Sequence, residues 1–123
     1  MDKSDLKENV FYPAAFLIDK DDPEWIAVTF PDIVAGHTCG KGMVDAILMA
    51  EDLLALMIKE APHQCFKPSS LEEIKAFCPD AKYVLFIEPH VHPREEIERI
   101  IEEVGDDIET FISQKSRQKP SIS

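Results

Sequence analysis

The chain has 123 residues, of which 45% are hydrophobic, and it carries a formal net charge of −11 at pH 7. This length and composition are typical of one folded domain with at most a short appended element. The acidic balance argues against a protein that coats nucleic acid by neutralising phosphates, and it favours one that docks a basic partner.

The cysteines are Cys39, Cys65 and Cys78, an odd number without CxxC spacing. Residues 1–9 are polar and charged, unlike a signal peptide, and no apolar run is long enough to cross a bilayer. We therefore expect a cytoplasmic protein with free thiols.

Period-two alternation predicts a first strand over residues 12–18, which either begins at Pro13 or runs along a sheet edge. An acidic turn at residues 19–23 separates it from a second strand over residues 25–30, as in an antiparallel hairpin. A third short strand over residues 36–39 completes a predicted three-stranded meander.

Between residues 42 and 59 the apolar period becomes helical. Three apolar residues, Leu48, Met49 and Leu56, lie well round from the main apolar stripe, so this helix is expected to be buried on more than one side. Either loops or the C-terminal helix cover the second side, or that side is an oligomer or partner interface. The main stripe consists of Met43, Ile47, Ala50, Leu54 and Met57.

Ser69 or Ser70 is predicted to cap a short helical turn. Residues 82–88 form the clearest strand, and their continuous apolar run is typical of a central strand buried on both faces. Pro93 is predicted to start a final amphipathic helix, which Gly105 either weakens or divides in two.

Two groups of side chains are candidates for chemistry. Glu88, His90 and His92 share one strand face and suit zinc, but the sequence indicates no second ligand pair. We therefore expect no metal site, with His92 acting as a cap or an exposed residue before the final helix. His37 and Cys39 also share a face, yet nothing marks the thiol as an activated nucleophile.

The strand positions carry apolar and aromatic residues instead of the acidic groups of a two-metal nuclease. The sequence also lacks GxGxxG, GxxxxGK and GxSxG motifs. We therefore expect no catalytic residues, no cofactor and no enzymatic activity.

Several elements of the chain form a moderately specific set when they are taken together. They are Tyr12-Pro13-Ala14, the run 25–32 ending in Phe-Pro-Asp, the run 36–40 with its Thr-x-Gly, Ala46, the helical segment 50–54, and Pro68-Ser69. This set resembles the HicB-like antitoxin family over most of residues 11–88.

The resemblance implies a partly degenerate RNase H-like fold of three antiparallel strands, a helix and a further strand, without nuclease activity. It implies a partner, a small basic RNA-cleaving toxin of the HicA type, whose active histidine the antitoxin covers. It also implies oligomers and repression of the toxin operon through a C-terminal DNA-binding element. The many acids between Arg94 and Glu109 argue against DNA binding, because a recognition helix is positive on its exposed side.

We therefore predict an α+β fold with a three-stranded antiparallel meander, a helix, a further strand and a C-terminal helix. The predicted divisions are a flexible lead-in at 1–10, a HicB-like domain at 11–91, an amphipathic helix at 92–114 and a basic tail at 115–123. The amphipathic helix would serve in oligomerisation or remain from a DNA-binding element.

The expected function is neutralisation of such a toxin; the alternative is a DNA-binding transcriptional regulator that acts through the C-terminal segment without a toxin. We expect the partner to contact Phe30, Asp32, Thr38, Asp45, Leu48, Met49, Asp52 and Leu56. We expect a homodimer or higher homo-oligomer to form through Ile97, Ile101, Val104, Ile108 and Phe111.

Overall fold

A computed structural model describes residues 11–104 of the chain, and it has the predicted α+β class. The predicted lead-in, Gly105, Ile108, Phe111 and the basic tail lie outside the described residues. The strands are β1 (Tyr12–Ile18), β2 (Trp25–Thr29), β3 (His37–Lys41) and β4 (Tyr83–Ile87). The helices are α1 (Gly42–Glu60), α2 (Leu71–Phe77) and α3 (Arg94–Val104), with a short 3₁₀ helix at Pro62–Gln64.

The four strands form one sheet in the order β3-β2-β1-β4, and every neighbouring pair is antiparallel. The acidic turn joins β1 to β2 as predicted: the Asp19 carboxylate accepts a hydrogen bond from the Asp21 N–H at 2.9 Å. The Trp25 N–H donates to the Asp22 carbonyl at 3.0 Å. The predicted meander of the first three strands is therefore confirmed, with β3 one to two residues further along the chain than expected.

The prediction that β4 is a central strand is wrong, because β4 lies at the sheet edge beside β1. Its apolar run is nevertheless buried on both faces. Leu85 and Ile87 face the main core under α1, whereas Val84 packs with Ile74 of α2. A continuous apolar run in a strand thus indicates that both faces of the strand are covered. It does not indicate whether the strand has one neighbour in the sheet or two.

The main core lies between the sheet and α1, and the predicted stripe of this helix is confirmed. Ile47, Ala50 and Leu54 are fully buried against sheet residues such as Phe16 and Val28. Side chains at this spacing lie on one face of a helix, so α1 can cover the sheet along several turns.

Helix α1 begins at the residue after β3 ends, so the chain turns sharply between them. Gly42 has a positive φ of 86°, which glycine adopts without steric cost. A Cβ atom at Gly40 would lie only 2.4 Å from the backbone nitrogen of Ala46. Glycine at position 40 therefore allows the first turn of α1 to lie directly on β3.

Helix α2 covers the opposite face of the sheet and begins with a capping box, as Ser70 was predicted to allow. The Ser70 hydroxyl accepts from the Glu73 N–H at 3.1 Å, and the Ser70 N–H donates to the Glu73 carboxylate at 2.8 Å. Ile74 then packs against Ala15 in a second, smaller apolar cluster.

Helix α3 returns to the same face as α1, where Ile97 and Ile100 are fully buried in the main core. Its hydrogen bonding begins at Pro93, whose carbonyl accepts from the Ile97 N–H at 3.3 Å. The helix therefore starts one residue later than predicted. None of the helices within residues 11–104 is both long enough and apolar enough to cross a membrane.

Two glycine substitutions test the close contact between β3 and α1. We expect Gly40→Ala to lower the free energy of unfolding by about 3 kcal/mol or more, because the new methyl group overlaps backbone that must shift. Gly42→Ala has open space around its Cβ and should cost only about 1 kcal/mol, from its positive φ. Urea unfolding measures both, and equal losses would contradict this account.

The phenol of Tyr12 gives the fold a dependence on alkaline pH. Burial, followed by the nearby Cys65 and Asp32, raises the pKa of Tyr12 from its ordinary value of 10.0 to about 12. The unfolded chain loses this proton first, so the contribution of Tyr12 is present below pH 10 and is lost as the pH rises towards 12. We expect the free energy of unfolding of Tyr12→Phe to fall less between pH 10 and pH 12 than that of the wild type; parallel profiles would refute the assignment.

Candidate functional site

The exposed side of α1 carries a row of four residues at four-, three- and four-residue spacing, which places them along one side of a helix. We call this row, Asp45, Met49, Asp52 and Leu56, the α1 stripe. The side chains of Met49 and Leu56 are 43% and 52% exposed, which is unusual for large apolar residues on a helix that is buried on its other side. The stripe thus combines two carboxylates with two exposed apolar side chains.

The second apolar side of α1 was expected either to be covered by other parts of the chain or to form an interface. In the structure, one part of this side is covered and another part is exposed. Leu48 is half-buried and packs against the main core, to which α3 contributes Ile97 and Ile100. Met49 and Leu56 remain exposed on the surface of α1. The chain therefore covers one part of this side by itself and leaves the other part open.

One end of the α1 stripe is tied to α3 by an ion pair. The guanidinium of Arg94 donates a hydrogen bond to the Asp45 carboxylate. This hydrogen bond and the charge of Asp45 raise the pKa of Arg94, so the guanidinium stays protonated. Arg94 also lies 3.9 Å from Glu98, one helical turn further along α3. Because the ion pair is exposed, it contributes little to stability.

Two residues predicted to contact the partner have other positions in the structure. Phe30 is only 1% exposed and belongs to the main core, so a partner cannot reach its side chain. The Asp32 carboxylate accepts hydrogen bonds from both the N–H and the hydroxyl of Ser69, each at 2.8 Å. Asp32 therefore anchors the connector that leads to α2. Thr38 is half-buried on β3, on a different element from the α1 stripe.

The residues predicted for oligomerisation do not form one exposed surface. Ile97 is fully buried within the chain's own core, and Ile101 is partly buried against it. An Ile97 side chain that packs inside one chain is not on a surface where a second copy could bind. Val104 is the last residue of α3, and the remaining two predicted residues lie outside the described part of the chain.

A buried polar cluster joins α1 to the segment between β4 and α3. His92 is 8% exposed, which corrects the alternative that it is an exposed residue before the final helix. Its Nδ1 lies 2.9 Å from the Glu51 carboxylate, and its Nε2 lies 3.2 Å from the Glu88 carboxylate. The His92 N–H also donates to Glu51 at 3.0 Å. We call these three residues the Glu–His–Glu cluster.

Sequence reasoning missed Glu51 as a member of this cluster. The available signal was its position in α1: it follows the buried Ala50 and lies one turn before Leu54, within the apolar part of the helix. A carboxylate at such a position is buried and requires a partner. The identity of that partner, His92, is 41 residues away and could not be read from the spacing.

The structure also shows where the histidines and the cysteine of the two other candidate sites lie: His90, considered for metal binding, and His37 and Cys39, considered for nucleophilic catalysis. The rings of His90 and His92 pack edge to face with centroids 4.6 Å apart. Within residues 11–104, no three histidine, cysteine, aspartate or glutamate side chains are arranged to hold a metal ion. His37 lies 2.9 Å from the Thr29 hydroxyl across the β2–β3 pair, and Cys39 is exposed.

No family model matches this sequence, and no curated protein matches it.

Alanine substitution of the apolar residues in the α1 stripe tests whether these side chains contribute to the stability of the fold. We expect Met49→Ala and Leu56→Ala each to change the free energy of unfolding by less than about 1 kcal/mol, because both side chains are largely exposed. Leu54→Ala on the buried side of α1 is the matched control and should cost about 2–5 kcal/mol. Losses of similar size, measured by urea unfolding, would mean that the stripe is part of the core.

Proposed function

We propose that this chain is an antitoxin-like protein that binds and neutralises a small basic toxin of the HicA type, with the α1 stripe as its contact surface. The observation that carries the proposal is the stripe itself: Asp45, Met49, Asp52 and Leu56 lie in a row on the exposed side of a helix whose opposite side is buried. A rigid helix that presents fixed side chains loses little conformational entropy when it binds.

The charge of the chain supports a basic partner. A net charge of −11 attracts a basic protein over long range, which raises the rate of encounter and disfavours acidic partners. Asp52 brings this charge onto the stripe, whereas Asp45 is already paired with Arg94. Met49 and Leu56 add apolar area, and Met adapts well to an irregular surface. A partner with cations around an apolar centre would be complementary to the stripe.

The order of elements gives further support. Three antiparallel strands, α1 and the later strand β4 occur in the order that the HicB-like resemblance implies. This support is limited to the fold, because one fold serves many functions. The proposal therefore depends on the stripe, and it places the protein in the cytoplasm with its partner.

The alternative, a DNA-binding regulator, receives no support from α3. The exposed side chains of this helix include Glu95, Glu98, Glu102 and Glu103. A helix that enters a DNA groove needs a positive exposed side, because the phosphates dominate the affinity. In α3 one of the two arginines, Arg94, already contacts Asp45.

The test is binding of the full chain to the small basic protein encoded by the neighbouring reading frame. We expect Leu56→Ala to weaken this binding at least tenfold, since the variant removes an exposed apolar anchor. The measurement is isothermal titration calorimetry at two salt concentrations, together with inhibition of RNA cleavage by the partner.

Charge reversal distinguishes the contribution of the stripe to binding from that of the protein's net charge. Asp52→Lys should weaken the same binding more than tenfold and reduce its dependence on salt. Glu72→Lys is the matched control: it makes the same change in net charge at an exposed position on α2, across the sheet from α1. If the two reversals weaken binding equally, the stripe is not the contact surface. Absence of both binding and inhibition by the wild type would refute the proposed function.

A further inference from the structure

The sheet order β3-β2-β1-β4 makes β3 an edge strand, with β2 on its inner side. Its pairing with β2 is continuous over all five residues from His37 to Lys41. Natural edge strands are usually protected from a further strand by proline, a bulge or a charged side chain. β3 has no proline or bulge, and its Lys41 ammonium already lies 3.3 Å from the Glu24 carboxylate. The edge is therefore open to a further strand.

The hydrogen bonds at the two ends of the β2–β3 pair show which backbone groups of β3 point outward. The Phe30 N–H donates to the Gly36 carbonyl at 2.7 Å, and the Gly42 N–H donates to the Glu24 carbonyl at 2.8 Å. In an antiparallel pair, hydrogen-bonded residues alternate with residues whose backbone groups point away from the neighbouring strand. In the register of β2 and β3, the even-numbered residues of β3 therefore bond to β2, and the odd-numbered residues point outward.

The odd-numbered residues of β3 are His37, Cys39 and Lys41, and some of their backbone groups are already used inside the chain. The His37 N–H donates to the Ala35 carbonyl at 3.0 Å. Lys41 is the N-cap of α1, a position whose carbonyl accepts the first hydrogen bond of the helix. The groups that remain are the Cys39 N–H and carbonyl, the His37 carbonyl and the Lys41 N–H. No backbone hydrogen bond from elsewhere in residues 11–104 reaches these groups.

The remaining donors and acceptors are symmetric about Cys39. A second copy of β3, placed antiparallel with its Cys39 opposite that of the first, has its Lys41 opposite His37. Each Cys39 N–H then meets the Cys39 carbonyl of the other copy, and each Lys41 N–H meets the other copy's His37 carbonyl. Every remaining donor and acceptor of both strands finds a partner. Such self-complementarity is what a twofold-symmetric dimer requires.

We propose that two copies of this chain join through their β3 edges, so that two four-stranded sheets become one continuous antiparallel sheet. Gly40 lies against Ala46 of α1, so the even-numbered residues of β3 face this helix. Opposite residues of paired strands point to the same face of a sheet. Both α1 helices therefore lie on one face of the joined sheet, and the Cys39 side chains meet on the other.

The charge of β3 suits contact between two acidic chains. Copies with a net charge of −11 repel each other over long range. β3 itself carries no carboxylate, so the junction brings no acidic side chain of one β3 strand opposite an acidic side chain of the other. Because salt screens the remaining repulsion, we expect dimerisation to strengthen as the ionic strength rises.

Sedimentation equilibrium of the full chain measures the dimer, which should dissociate on dilution because one short strand from each copy makes a small contact. Cys39→Pro removes the outward N–H at the centre of the junction. It leaves the hydrogen bonds to β2 in place, because an edge strand tolerates proline where its N–H points outward. We expect this variant to raise the dimer dissociation constant at least about tenfold. Cys39→Ser, the matched control, keeps the N–H and should change the constant less than about threefold.

The Cys39 thiol reports the register of the junction. Cys39 is exposed, and in the dimer the two Cys39 Cα atoms lie about 5.5 Å apart, within the range of a disulfide. Diamide, an azo oxidant, takes two electrons and two protons from a pair of adjacent thiols as their sulfurs join. We expect it to link the wild type into dimers at least about tenfold faster than Cys39→Ser. Ala27→Cys combined with Cys39→Ser places an exposed thiol on the same face one strand further in, and it should link as slowly as Cys39→Ser.

A wild type that stays monomeric up to about 1 mM overturns the β3 dimer, and so does a dimer that persists unchanged in Cys39→Pro. If circular dichroism shows that Cys39→Pro does not fold, the linking rates decide: equal rates for thiols at positions 39 and 27 mean that β3 is not the junction. If the wild type is monomeric and Cys39→Pro loses binding to the basic partner, the edge receives a strand of that partner instead. The dimer measurements use this chain alone, so failure of toxin binding leaves their result unchanged.

Discussion

Helix α1 follows β3 without an intervening loop, so its position over the sheet is determined by the few residues where the two elements meet. Gly40 lets the backbone of Ala46 approach closely, and Gly42 supplies the positive φ of the turn. From this start the helix extends over the sheet and buries Ile47, Ala50 and Leu54. Every other feature of the fold that bears on function is arranged around this helix.

The sides of α1 have three different tasks. One side forms the main core with the sheet, a second side carries Glu51 towards His92, and the third side presents the α1 stripe to solvent. Since one rigid helix connects these tasks, a partner on the stripe would bind next to the attachment of α3. The Arg94–Asp45 ion pair makes this connection direct, because Asp45 belongs to the stripe and Arg94 begins α3.

The attachment of α3 combines two kinds of interaction with different costs. Ile97 and Ile100 bury apolar surface, which is favourable at any ordinary pH. The Glu–His–Glu cluster removes charges from water, which is favourable only when hydrogen bonds and opposite charges replace the lost solvation. The apolar contacts therefore supply the affinity of α3 for the core, whereas the hydrogen bonds of His92 to Glu51 hold the segment just before the helix against α1.

Local patterns in the sequence were sufficient for several elements. The acidic turn between β1 and β2, the cap that Ser70 provides for α2, and the buried stripe of α1 all depend on residues within a few positions of one another. Their outcome depends on backbone sterics and helical periodicity, which a short segment contains in full. The α+β class followed from the order of these local elements.

The packing of distant elements determined which residues lie at the surface and which lie in the core. Phe30 and Ile97 are buried because distant elements cover them, and β4 is an edge strand because, within residues 11–104, β1 is the one strand that it pairs with. Glu51 and His92 are 41 residues apart, and Asp32 and Ser69 are 37 apart. Local patterns of residues were enough to predict the helices, the strands and the acidic charge. The chain's packing determined the pairing of buried polar groups, because a buried charge is satisfied by whichever group the fold brings to it.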